Sequence, residues 1–189
     1  MEITLRAFVT IVHGMLFGGF FLLAIYGLVV ERFRSACFER NPGITPRGIS
    51  LERFYLFSMA TLGWAAVLTG AYIIYPWYRA VPPAGSTSLA LYPKFVLMSS
   101  PTTRGWHTLG MEWKEHVAWI APMVMTMVAY VMTTYQRSMH EHPQIRRAVL
   151  VFVLTALGAA GVAGMFGAML NKYAPVNGGS TIHLAEKTQ

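Results

Sequence analysis

Charge is scarce in this chain: Asp, Glu, Lys and Arg supply 12% of its 189 residues, while hydrophobic residues supply 54%. A soluble domain carries about twice that share of charge, so the balance argues against a water-surrounded fold. Cysteine is almost missing. The single Cys37 cannot close an internal disulfide, and no Cys-x-x-Cys-His occurs, which excludes covalently attached c-type haem. The paired Glu-x-x-His motifs of di-iron bundles and the His-Glu-x-x-His of zinc proteases are also lacking. No Gly-rich phosphate loop or nucleophile motif appears. Soluble-enzyme chemistry therefore drops out, and an electron-transfer or accessory subunit fits better than a stand-alone enzyme.

What is present is apolar length, with a mean hydropathy of +0.45. Four stretches reach the roughly 20 residues that a bilayer core demands of a helix. They are Phe8 to Val30, Phe54 to Tyr75, Val117 to Tyr135 and Ala148 to Leu170. His13 is the one ionisable side chain in the first, and the others hold none. The expected fold is an all-α, polytopic membrane four-helix bundle over residues 1–173, with a loop at 76–116 and an extended tail at 174–189. The first run is too long for a signal peptide, lacks a small-residue cleavage site and is followed at once by Glu31, Arg32 and Arg34, so it reads as an uncleaved span.

In a soluble protein a net charge of +7 would suggest nucleic acid; between spans, the placement of Lys and Arg decides orientation instead. Arg32, Arg34, Arg40, Arg47 and Arg53 crowd the first inter-span loop, and Arg137, Arg146 and Arg147 the third. The other side has Arg6, Arg79, Lys94, Arg104, Lys114, Lys172 and Lys187, spread more thinly. The density favours both termini outside, and a bacterial inner membrane is the expected location. The lipid bilayer and other subunits of a membrane complex are the expected partners, with no nucleic acid.

Gly14 and Gly18 in the first span, and Ala156, Ala160, Gly164 and Ala168 in the fourth, recur at the small-residue spacing that lets helix backbones approach closely. Tyr72, Tyr75, Trp77 and Tyr78 suit the headgroup boundary. Between Val81 and Glu112, prolines and polar residues predict a loop that caps the bundle or docks a partner, with a short surface helix at Leu89 to Met98. Pro122 predicts a kink, because its ring removes a backbone bond and clashes with the Ala118 carbonyl.

The chemistry-bearing residues converge on the outer side. His13 lies about two turns inside the first span. His116 opens the third, preceded by His107, Glu112, Lys114 and Glu115. Tyr72 ends the second, and Met165 and Met169 end the fourth. An imidazole in hydrocarbon costs free energy unless paired, so His13 is a functional hypothesis by default. His13 and His116 could both ligate a haem iron, with His107, Met165 or Met169 as alternative partners. Glu112, four residues before His116, shares its helical face and could fix its tautomer, while Glu115 faces elsewhere. The same cluster could take protons from a quinol. The plainer reading is that His13 bonds a neighbouring helix and His116 is interfacial. His140, Glu141 and His142 read as a solvated turn.

With His13, His116 and four spans, the chain resembles the small membrane cytochromes b that anchor respiratory enzymes, such as the cytochrome subunits of hydrogenases and formate dehydrogenases. The resemblance is architectural and covers Phe8 to Asn171. It implies haem b held by paired His and electron relay between a partner subunit and quinone. This chain departs from the two-haem pattern, because no His lies in the inner half of any span. Two functions follow as expectations: a redox subunit with one haem b or a quinol pocket near the outer face, or a cofactor-free subunit that clamps a larger complex.

Overall fold

A computed structural model describes residues 2–37, 46–135 and 141–183. Arg40, Arg137, His140 and Lys187 lie outside them. Four long helices form the body: α1 (Leu5–Phe33), α2 (Gly48–Tyr78), α4 (Pro101–Thr134) and α5 (Pro143–Tyr173), with the short α3 (Pro93–Met98) between the second and third. The shortest has 29 residues. At about 1.5 Å per residue that is roughly 43 Å, more than the ~30 Å of a bilayer's hydrocarbon core. The chain is an all-α bundle of the multi-pass membrane kind.

Its core is dry. Phe21, Ile25 and Leu28 of α1, Leu56 and Met59 of α2, Met125, Val128 and Met132 of α4, and Val149, Val153 and Ala156 of α5 interlock. Met15, Leu23, Phe54, Phe57, Tyr130 and Val151 point outward. In water such an exposed belt would drive aggregation; against acyl chains it is the matched surface.

Strands β1 (Glu2–Thr4) and β2 (Thr181–His183) pair antiparallel, Ile3 opposite Ile182. The Leu5 amide extends the ladder by donating to the Ser180 carbonyl at 2.8 Å. Gly178 and Gly179, both at positive φ, turn the tail into this register. The pairing fixes both ends of the described chain at one end of the bundle, as an even number of crossings requires. We call this the strand end. Before it, Ala174 and Val176 are buried with Tyr78, Leu97, Met111 and Leu170, so the tail is extended yet packed.

The expected 76–116 loop is shorter than the sequence suggested, because helix α4 already starts at Pro101. Ser100 caps it, its hydroxyl accepting from the Thr102 amide at 3.4 Å, and Pro101 occupies the first helical position, where no amide donor is needed. Trp106 then packs on Phe166 and Tyr173 of α5, with ring centroids 6.3 and 6.0 Å away. Polarity had masked this buried, aromatic face. The short helix expected within Leu89 to Met98 forms as α3; its Pro93 and Leu97 are buried, and it caps the strand end, as the sequence suggested for this segment.

A turn interrupts α4 at Ala118 and Trp119, where Pro122 was expected to kink it. Deprived of the Pro122 amide, the Ala118 carbonyl accepts from Ala121 at 3.3 Å instead. The small-residue expectation fares unevenly. A methyl on Gly14 would meet nothing within 4 Å, and one on Gly18 only the carbonyl of His13, so this pair seats no neighbouring helix. In α5, Ala156 is buried and Gly164 meets Leu22 of α1.

Candidate functional site at the strand end

Three of the four long helices widen into π turns: Val12–Gly19 in α1, Gly70–Ile74 in α2, and Trp106–Met111 and Trp113–Val117 in α4. Such turns are rare and recur at functional sites, because the added residue re-aims side chains at the cost of weaker backbone bonding. His13, His107, Lys114, Glu115 and His116 all lie within them.

His13 meets α2. Its Nδ1 is 3.0 Å from the Thr69 hydroxyl oxygen. That hydroxyl donates to the Ala65 carbonyl at 2.6 Å, so its oxygen accepts here and the imidazole proton is on Nδ1. Nε2 is left as an acceptor. Gly70 makes the fit possible: a Cβ there would come within 2.9 Å of His13 Cε1. This is the hydrogen bond to a neighbouring helix that the plainer reading anticipated, and the ring also lies within hydrogen-bonding reach of the Ala66 carbonyl.

Lys114 is close enough to His13 for its charge to act on the ring. The half-buried side chain lies over Gly167 of α5, where a methyl would be 3.1 Å from Nζ. Its ammonium reaches the Ala163 carbonyl at 3.5 Å, a long contact that leaves most of its donor capacity unused. Next to it, Trp113 donates to the Ala159 carbonyl at 3.1 Å and holds this stretch of α4 against α5.

A second polar group links α2 to α4 nearer the end. Tyr78, itself buried, bonds His107 Nδ1 at 2.8 Å. Arg79 donates to the Tyr75 hydroxyl at 2.7 Å, and that hydroxyl also faces Glu115. Glu115 is thus turned toward α2, where the sequence offered no role for it.

The remaining candidates point away. His116 donates from Nδ1 to the Glu112 carbonyl at 3.1 Å, with the Glu112 carboxylate 3.5 Å off, so this pair forms as the spacing predicted. Both side chains are about two-thirds exposed. Tyr72 is 72% exposed and Met165 50%. Met169 is half-buried. His13 and His116 therefore do not face one another: the first is turned between helices and the second outward. Among the described residues no group of three or more His, Cys, Asp or Glu could hold a metal ion.

Thr69, Gly70, Tyr78 and Arg79 are the residues that sequence reasoning missed. A lone Thr or Gly in an apolar span carries no periodic signal. Tyr78 had one, since it closes an aromatic run, but the run read as a lipid-boundary marker. Comparison with protein-family models, with curated proteins and with solved structures returns no match to this chain.

Proposed function

We propose that the chain is a membrane subunit of an electron-transfer complex and that its strand end, on the outer side of a bacterial inner membrane, binds the head group of a quinol. The observation that supports this reading is the imidazole of His13, held by Thr69 between helices with a lysine ammonium nearby. A quinol hydroxyl can donate to Nε2. The Lys114 ammonium can donate to an oxygen of the same ring. On oxidation the quinol loses two protons and two electrons; Nε2 takes the first proton, the second passes to water at the strand end, and the electrons pass to a redox centre on a partner subunit. Intramembrane ionisable groups are costly to maintain, which is why a working role is the first reading of this pair.

Haem b fits less well. When bound it would supply one-electron transfer, and His13, with Nδ1 committed to Thr69, would hold it through its other ring nitrogen. His116 and Met165 face outward, which leaves His107, whose Nδ1 bonds Tyr78, and the half-buried Met169 as the alternatives for a second ligand. The rival reading, a cofactor-free accessory subunit, is favoured by the same Thr69 bond, because it satisfies the imidazole without any ligand.

The test is binding of a tailed quinone to the purified chain in nanodiscs, together with a pyridine haemochrome assay. Under this proposal wild type binds quinone, His13→Gln binds at least tenfold more weakly, and the preparation carries no haem. Equal binding by both proteins, or none by either, would leave the accessory role.

A further inference from the structure

Resting on the quinol reading, we infer that Glu115 is the carboxylate through which the proton taken by His13 leaves for the water at the strand end. Two helices place it there independently. On α4, Glu115 follows Lys114 within the π turn Trp113–Val117, and Lys114 is the residue whose charge acts on the His13 ring. On α2, His13 lies against Gly70, which opens the π turn Gly70–Ile74, and the Tyr75 amide closes that turn by donating to the Gly70 carbonyl. The Tyr75 hydroxyl faces Glu115. At ~1.5 Å per residue, Tyr75 stands roughly 7 Å nearer the strand end than the glycine on which His13 rests. Arg79, which donates to the same hydroxyl, is one turn further on and exposed.

The other described carboxylates are placed elsewhere. Glu2 pairs with His183 in the ladder, and Glu112 is turned outward with His116. Glu52 binds Arg32 at the opposite end of the bundle, where Glu31 and Glu141 also lie. Glu115 is the one that is half-buried between helices at the strand end.

Charge gives the direction of transfer. A protonated His13 puts a second cation beside the Lys114 ammonium, and between helices such repulsion is far stronger than in water. The imidazolium returns to neutral imidazole by giving up its proton, which crosses through water to the Glu115 carboxylate and makes it a carboxylic acid. That acid then releases the proton to water at the strand end, and no electron moves in either step. The groups that share this setting are Tyr75, Tyr78 and Arg79 of α2, Lys94 of α3 and His107 of α4. Arg79 and Lys94 favour the return of Glu115 to its ionised form.

The test follows protons at His13 in the full chain in nanodiscs, with nitrogen-labelled histidine and the His13 signal assigned by its loss in His13→Gln. Exchange of the ring proton with water requires a proton to arrive at Nε2, the reverse of release, so it runs by the same route. Glu115→Gln should slow this exchange at least about tenfold, and Glu115→Asp should restore most of it. Binding of the tailed quinone should stay within about twofold of wild type in Glu115→Gln, since the carboxylate acts after the head group is held. Unchanged exchange in Glu115→Gln overturns the route while leaving the quinol reading in place. Slowing that Asp does not restore, or a matching loss of quinone binding, marks Glu115 as a structural element and also overturns it. If exchange depends on Glu115 but wild type binds no quinone, the proton route stands and the quinol reading falls.

Discussion

Tyr78 and His107, twenty-nine positions apart, are joined by a 2.8 Å hydrogen bond that ties the end of α2 to the π turns of α4. Because Tyr78 is buried, its hydroxyl cannot exchange this partner for water. Tyr78→Phe should lower stability by about 1 kcal/mol, seen as a reduced midpoint of thermal unfolding in detergent, with helix content unchanged. An unaltered midpoint would show that the bond does not hold the two helices together.

Thr69→Val keeps the shape of the side chain and removes the acceptor that fixes the His13 tautomer. Quinone binding should fall by about tenfold, the scale at which partners that orient an imidazole act. Thr69→Ser should restore it, since the hydroxyl that accepts from Nδ1 returns.

Gly70→Ala tests the close approach itself. The added methyl would press on His13 Cε1 at 2.9 Å and push the ring from its place. Binding should drop as in His13→Gln. Gly14→Ala, whose methyl meets nothing within 4 Å, is the matched control and should bind normally, with stability unchanged or raised by less than about 1 kcal/mol.

Lys114→Met retains the stem that covers Gly167 and removes the ammonium. Stability should hold or rise slightly, because a charge no longer has to be kept between helices, while quinone binding weakens several-fold. Equal loss of stability and binding would mark Lys114 as a packing element only.

The four spans were legible because hydrocarbon leaves a long apolar run few alternatives to helix, and their centres fall where the runs are. The break in α4 just before Pro122 was legible for a similar reason: a missing amide is a local fact. The α4 start was not. Thr102, Arg104 and Lys114 read as loop residues, yet Trp106, Gly110 and Trp113 bury one face of the same segment against α5. Of the site, His13 could be found from its setting alone. Its partners could not, because Thr69 and Gly70 gain meaning only when α1 and α2 lie antiparallel in one register. The π turns were invisible for the same reason, since they arise from packing and not from residue preference.

The two short strands have a consequence for biogenesis. Glu2 and His183 stand opposite each other in the ladder, so the pair cannot form until every intervening helix has been threaded through the bilayer. Ladder formation is thus a late checkpoint: a chain stalled after three crossings leaves Glu2–Thr4 without its mate and the strand end unsealed.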